Sequence, residues 1–244
     1  MRHYRYAHRG LYDPDRGVPE NSLPAFVRAI EHGFGSELDV RLLADKSLAV
    51  FHDSDLRRMT GQPGRVEQLT AEALRNYSLA GTRETIPELR DVLELYSVVK
   101  LPLLIELKPE DGNHEALSAR VAEELDRART PCLVESFDPR CLAWFHKHRP
   151  NVLRGQLAED PRRVACPPAD RKRRFAHELA GAAISRRAQP DFFAFRFDHR
   201  DSMTWRVFTA LCRPEVFYWT IRTPGELAAA EAEGAQVIFE GFIP

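Results

Sequence analysis

The stretch GSELDVRLLADKSLAVFHD, residues 35–53, decides how the rest of the chain is read. On an extended strand, residues i and i+2 share a face. In ELDV, Glu37 and Asp39 therefore point one way and Leu38 and Val40 the other. Two carboxylates side by side in an apolar strand are costly unless a cation or hydrogen-bond donors compensate them. A second apolar run, Leu48 to Phe51, ends in His52-Asp53. An apolar face for packing and a polar face that gathers charge is the pattern of a strand in a closed barrel, with helices outside and a polar lumen within.

The flanking sequence supports that reading. Strand-like segments run Tyr4 to His8, Ser36 to Leu43, Leu101 to Lys108, Cys132 to Phe137, Val152 to Leu157, Asp191 to Phe197, Val216 to Ile221 and Ala235 to Phe239. Helical patterns lie between them, at roughly 22–33, 87–99, 113–129, 139–148, 170–187, 202–212 and 224–233. Eight strands alternating with helices predict a parallel sheet closed into a (β/α)8 barrel, an α/β fold. An open doubly wound sheet is the alternative, and the absence of G-x-G-x-x-G after the first strand weakens it. Helix punctuation agrees. Ser22 is placed to cap SLPAFVRAI, and TPGELAAAEAEG offers Thr223 as N-cap, Pro224 at N1, Glu226 at N3 and Gly234 past the end.

Two departures from a regular barrel are expected. About 35 residues separate the second strand from the helix near 87, far more than a usual βα loop. An insertion over the barrel mouth, about 53–86, should fill them. Further, the chain stops at Pro244, just after the eighth strand, so the eighth helix should be missing or reduced. The barrel surface left bare there should then be covered by a partner subunit, making a homo-oligomer, or by another segment. With no repeat or linker in view, residues 1–244 are expected to form a single domain.

Bulk properties exclude several classes. Of the 244 residues 43% are hydrophobic and 29% charged, enough for a sizeable core and an ordinary surface. A net charge of −1 gives no support for nucleic-acid binding. No run of 18 apolar residues predicts a membrane span, so no stable membrane insertion is expected. MRHYRYAHRG does not read as a signal peptide. Cysteines 132, 141, 166 and 212 lack metal-site spacing and read as free thiols in a reducing compartment. The protein is expected in the cytoplasm. The basic run DRKRRF, 170–175, reads as the solvated start of a helix.

Barrel enzymes carry their chemistry at the C-terminal ends of the strands. Those ends here are His8-Arg9, Glu37 and Asp39, Glu106 and Lys108, Ser136, Trp219 and Glu240. Glu37, Asp39 and Glu106 can converge at one mouth, and an oxygen-only donor set favours a hard divalent cation, Mg²⁺ or Ca²⁺. A salt-bridge network with Lys108 and Arg9 would also hold these carboxylates, but it leaves His8 and His52 unexplained. Two histidines flanking such a cluster fit a general acid and a general base. With a metal, an Arg and a Lys beside them, the natural substrate group is a phosphate. Ser136 lacks the partners of a serine nucleophile. Trp219 either packs the lumen or walls the substrate's alcohol portion.

AHRG (7–10), PENSLPAF (19–26), ELDV (37–40), FHD (51–53), TG (60–61), IPEL (86–89) and IELK (105–108) occur in this order. Together they closely resemble the glycerophosphodiester phosphodiesterase family, metal-dependent TIM-barrel enzymes, strongly over residues 5–108 and more weakly at ESFD (135–138) and YWTI (218–221). The resemblance implies that His8 and His52 are the acid/base pair and that Glu37, Asp39 and Glu106 hold the metal. It implies that Arg9 and Lys108 contact phosphate and that Glu20 and Asn21 support the site. The implied substrate is a small phosphodiester linked to glycerol, giving glycerol 3-phosphate and an alcohol. The alternatives are a lysophospholipase D-like enzyme acting on a lipid diester and a non-catalytic phosphate-binding barrel. The C-terminal half departs from the family pattern. WTIR carries Arg222, IFEGFIP carries Glu240, and FFAFRFDHRD directs Arg196 toward the lumen. Arg196 and Arg222 either favour a more anionic leaving group or pair with Asp198 and Glu240.

Overall fold

The computed structural model describes residues 4–160, 162, 163 and 187–244. Its strands are β1 (Arg5–Ala7), β2 (Gly35–Leu42), β3 (Leu48–Val50), β4 (Leu103–Leu107), β5 (Cys132–Ser136), β6 (Arg154–Ala158), β7 (Phe192–Arg196), β8 (Glu215–Ile221) and β9 (Gln236–Phe239). β1 pairs in parallel with both β2 and β9, so β1, β2 and β4 to β9 close into an eight-stranded parallel barrel. This is the expected TIM barrel. The eight expected strands all form, within a few residues of the sequence reading. β3 is an addition. The apolar run before His52 folds back antiparallel on β2, with Val40 opposite Val50 and Leu42 opposite Leu48. Cys166 and the basic run at 170–175 lie outside the described residues, as does the expected helix 170–187 but for its last residue.

The alternation in the strands sets the two layers. Leu38, Val40, Leu103, Ile105, Leu107 and Val134 point outward and bury against the helices Leu23–Glu31, Leu89–Tyr96, His114–Leu125 and Pro139–His148. Tyr6, Leu104, Leu133, Phe192 and Phe217 point inward and plug the barrel floor. Fully burying side chains of this size stabilises by roughly 1.5–3 kcal/mol each. The plug dictates a glycine. A Cβ on Gly155 would lie 1.9 Å from the Phe192 ring, so β6 must have no side chain where that ring crosses it.

Helix starts follow local chemistry. The Asp138 side chain accepts from the Arg140 amide at the head of helix 139–148. Thr223 and Glu226 form the anticipated capping box of helix Pro224–Ala232. Glu88 and Asp91 make a second box on helix 89–96. Ser22 differs from expectation. It occupies the cap position of helix 23–31, but its hydroxyl donates to the Pro19 carbonyl at 2.6 Å instead of accepting from the helix. The insertion has its own apolar cluster, including Phe51, Leu56, Met59, Val66, Leu74 and Ile86, and stands beside the barrel mouth.

The barrel wall beside β9 is covered by other segments of the chain, one of the two expected outcomes. No helix follows β9 within residues 241–244, yet Ala7, Val237 and Phe239 are buried. Phe34 meets Phe239 edge-on at 5.0 Å, and Phe242 folds back onto it at 5.8 Å. These two rings, with Ala29 and Ala230 from the flanking helices, supply the cover. The reason for expecting a partner subunit there falls away.

Gly155→Ala is expected to lower unfolding free energy by about 1–3 kcal/mol, the usual cost of overpacking a core. Phe192→Leu in the same chain should restore part of it. Urea unfolding of the three proteins checks this, and a single variant as stable as the parent would show that the ring yields freely.

Candidate active site

The first turn after β1 builds one wall of the site. His8 continues β1, its amide donating to the Phe239 carbonyl at 2.9 Å. Arg9 then takes a left-handed conformation, φ +54°, and Gly10 another at +76°. Such a backbone is strained at an arginine, by about 1–3 kcal/mol. Gly10 has no such strain, and a Cβ there would meet Ala25 at 2.8 Å. The turn aims the Arg9 amide at Glu37, 2.9 Å away. Asn21, also left-handed at φ +53°, directs its side-chain amide to Asp39 at 2.8 Å.

Glu37 and Asp39 of β2 and Glu106 of β4 are buried, and each offers one oxygen within 4.8 Å of the others. Their proximity follows from register, since Asp39 and Glu106 are Cα partners across the β2–β4 ladder. Lys108 reaches Asp39 at 3.2 Å and Glu106 at 2.8 Å, and Arg9 approaches Asp39 at 3.4 Å. One ammonium cannot neutralise two carboxylates. Burial raises the pKa of Asp39, but Lys108, His52, Arg9 and the Asn21 amide overcome it and hold Asp39 ionised, well below the usual range. Burial, opposed by Lys108 and reinforced by Asp39, pushes Glu106 up to about 7. Glu37 is held well above the usual carboxylate range by burial and by Asp39 and Glu106. Lys108 lies above its ordinary value, because Glu106 and Asp39 outweigh its burial. Asp39 Oδ1 meets the Lys108 ammonium at 3.2 Å but accepts no well-aligned hydrogen bond. An all-oxygen cluster with surplus negative charge fits a hard divalent cation.

The two histidines line the same cavity, each backed by a carboxylate that is itself held by an arginine. His8 Nδ1 meets Glu240 Oε2 at 2.5 Å. Arg222 binds the other Glu240 oxygen at 2.7 Å, and the Tyr12 hydroxyl donates to Oε2 at 3.1 Å. Burial would raise the Glu240 pKa, yet His8, Arg222 and Tyr12 bring it down to about 2. The far nitrogen of His8, Nε2, faces Glu37 at 3.9 Å. His52 Nδ1 meets Asp53 Oδ1 at 2.6 Å, and Arg58 binds Asp53 at 2.5 Å. Burial, with Lys108 and Arg9, lowers the His52 pKa against the pull of Asp39 and Asp53. Glu20 ties the two halves together, accepting from Arg9 at 2.8 Å and from Arg58 at 2.7 Å.

A cavity of about 200 Å³ opens onto His8, Arg9, Glu37, His52, Glu106 and Lys108. Its far side is formed by Phe137, Leu157, Trp219 and Ile238. Trp219 is anchored by its indole N–H to the Ala194 carbonyl at 2.9 Å and meets Phe137 edge-on at 5.8 Å. Arg196 lies over the Trp219 ring at 5.9 Å and pairs with Glu159 at 3.3 Å. Arg222 pairs with Glu240. Both arginines at the rim are thus engaged with carboxylates of this chain, which answers the question the sequence left open for them.

His8, Arg9, Glu20, Asn21, Glu37, Asp39, His52, Glu106, Lys108 and Trp219 come together at this mouth, as do Arg196, Arg222 and Glu240. Sequence reasoning missed four others. Asp53 and Arg58 lie in the insertion, and Tyr12 follows the first turn. Glu135 is a fourth buried carboxylate on the cavity wall. Strand alternation could have found it, because Leu133 and Glu135 share the lumen face as Leu104 and Glu106 do. Ser136, by contrast, donates to the Leu107 carbonyl at 2.8 Å and serves the ladder.

These charges predict a pH dependence in the cation-free protein. Below pH about 4.5 the Glu106 carboxyl is protonated in both folded and unfolded chains. As pH rises toward about 7, the unfolded chain loses that proton and the folded chain keeps it. Stability therefore falls across this window. Asp39 and Glu240, with lowered pKa values, act in the opposite sense only at lower pH. Urea unfolding in EDTA should show Glu106→Gln losing less stability than the parent between pH about 5 and about 8. An equally steep loss in both would mean the cluster is already compensated.

The profile of the glycerophosphoryl diester phosphodiesterase family matches residues 8–239. A glycerophosphodiester phosphodiesterase from Bacillus altitudinis is 36% identical over 166 residues, which cover 64% of this chain and 66% of the relative. One from Caldanaerobacter subterraneus subsp. tengcongensis is 39% identical over 163 residues, 62% of this chain and 65% of that protein. The matched region thus spans just under two thirds of these relatives' length. Among solved structures, a phosphodiesterase from Oleispira antarctica in complex with sn-glycerol-3-phosphate superposes with a TM-score of 0.77 at 24% identity, over 98% of this chain and 93% of the other. The Thermotoga maritima glycerophosphodiester phosphodiesterase gives 0.70 at 22% identity, over 98% and 95%. With its barrel, its mouth of carboxylates and a match across nearly the whole sequence, the chain belongs to the glycerophosphoryl diester phosphodiesterase family.

Proposed function

We propose that this chain hydrolyses glycerophosphodiesters to glycerol 3-phosphate and an alcohol. The observation that carries the reading is the placement of two carboxylate-backed histidines on one cavity together with a buried three-carboxylate cluster. The names of the relatives and the glycerol 3-phosphate bound to the Oleispira protein point the same way.

Glu37, Asp39 and Glu106 would hold a divalent cation, Mg²⁺ or Ca²⁺, given their oxygen-only donors. When bound, it supplies Lewis-acid stabilisation of the phosphoryl oxygens. Lys108 and Arg9 add positive charge at the same place. Asn21 orients Asp39, and Glu20 fixes the Arg9 guanidinium. One histidine takes a proton from the attacking oxygen, of water or of the substrate's own glycerol hydroxyl. The other gives a proton to the leaving alcohol oxygen as the phosphorus–oxygen bond breaks. Attack by the glycerol hydroxyl forms a cyclic phosphate that water then opens. Glu240 and Asp53 each hold a ring by Nδ1, leaving Nε2 for proton transfer. Trp219 and Phe137 flank the alcohol portion.

A lipid diester is less well served. Leu56 and Met59 of the insertion are buried in its core, so they form no apolar rim. A purely binding barrel would not need both histidine–carboxylate pairs. Among the described residues no helix is long and apolar enough to cross a membrane. Free thiols at Cys132 and Cys141 accord with a cytoplasmic setting.

Glycerol 3-phosphate release from glycerophosphocholine and glycerophosphoethanolamine tests the reading. EDTA-stripped protein should be silent and should recover with Mg²⁺ or Ca²⁺. His8→Ala and His52→Ala should each lower kcat by roughly 10²–10⁴-fold. Glu240→Gln, which removes the charge behind His8, should lower kcat at least ~10-fold. A wild-type protein that binds the cation but releases nothing from either diester would redirect the search to another alcohol group. Full activity in EDTA would sink the mechanism.

A further inference from the structure

Glu135 has no role in the mechanism above, yet it occupies one of the costliest positions in the molecule. It lies on β5 beside Glu106, its Cα partner on β4, and the two side chains project onto the same lumen face. The residue is 1% exposed, lines the cavity, and its Oε2 has no hydrogen-bond partner. Burial, with Glu37 and Glu106 nearby, holds its carboxyl well above the ordinary range. A glutamine or leucine would fit the strand without that cost. A buried carboxyl oxygen without a partner, in the wall of the cavity beside an acidic cluster, is placed to take a donor that arrives with a ligand.

We propose that Glu135 is a fourth carboxylate of the cation site, acting through the water molecules that the cation carries. This rests on the cation-binding reading of Glu37, Asp39 and Glu106. Geometry favours the indirect role, because those three form the close oxygen cluster and Glu135 stands outside it, one strand further round the barrel. A small hard cation keeps several of its waters, and their hydrogens are the donors the orphaned oxygen lacks. The site also holds more carboxylates than cations, since Lys108 is shared between Asp39 and Glu106 and Arg9 between Asp39 and Glu20. Outer partners of this kind commonly set metal affinity by 10–100-fold.

The test is calorimetric titration of Mg²⁺ or Ca²⁺ alone into EDTA-stripped, desalted protein, with thermal unfolding of the cation-free forms beside it. Glu135→Gln should weaken cation binding by at least ~10-fold. It should also raise the melting temperature of the cation-free protein, since a carboxyl that burial disfavours leaves the acidic cluster. Glu135→Leu, should the glutamine variant fail to fold, puts the same question without a polar group. Cation affinity within about twofold of the parent in a folded variant would overturn the inference and leave the mechanism standing. A parent that binds neither ion would overturn both.

Discussion

The whole barrel mouth is organised around like charges that cannot escape one another. Glu37, Asp39, Glu106 and Glu135 are all buried on neighbouring lumen positions of three adjacent strands. Parallel pairing sets the backbones of Asp39 and Glu106, and of Glu106 and Glu135, on neighbouring strands about 4.8 Å apart. The chain answers with the few cations it can bring in. Lys108 directly follows β4, two residues beyond Glu106. Arg9 arrives only because the backbone turns left-handed after β1. That compensation is incomplete, which is why burial leaves Glu37 and Glu106 with raised pKa values while Asp39, reached by both Lys108 and Arg9, stays ionised.

The second layer of the site is built from the ends of the fold. Glu240 follows the last strand and Tyr12 the first, and closure of β1 against β9 is what sets both beside His8. The other histidine depends on the insertion. β3 carries His52 up to the mouth, and Arg58, held over the core of Leu56, Met59 and Val66, locks Asp53 behind it. Glu20 bridges Arg9 and Arg58. Insertion and barrel are thus joined by ion pairs at the place where the chemistry is proposed, and a subdomain that looks like a decoration in sequence braces one of the two histidines.

The barrel floor and the barrel mouth place opposite demands on the same strands. β5 offers Leu133 to the apolar plug and Glu135 to the cavity, and β4 offers Leu104 and then Glu106. The large rings of Phe192 and Phe217 fill the floor, and Gly155 yields its side chain to make room. A tightly packed floor supports the mouth, because charged groups hold fixed distances only where the strands beneath them cannot shift.

How much of this was legible beforehand differs by the range of the interaction. Alternation in ELDV and LLIELK by itself determined which residues face the lumen, because a strand's side-chain period depends on the backbone alone. The capping box at Thr223 was equally local, and so were the eight barrel strands, whereas β3 formed by folding back on β2. Ser22 misled because its hydroxyl had a nearer carbonyl to serve than the helix behind it. Register, closure and charge pairing were beyond the sequence. Nothing in IFEGFIP says that Glu240 meets His8, 232 positions away, or that Arg222 is spent on that same carboxylate. Nor could composition reveal that Phe34 and Phe242 would cover the barrel wall where a helix was missed. Those contacts exist only once eight strands have closed into a ring, since closure alone brings the first and last of them together.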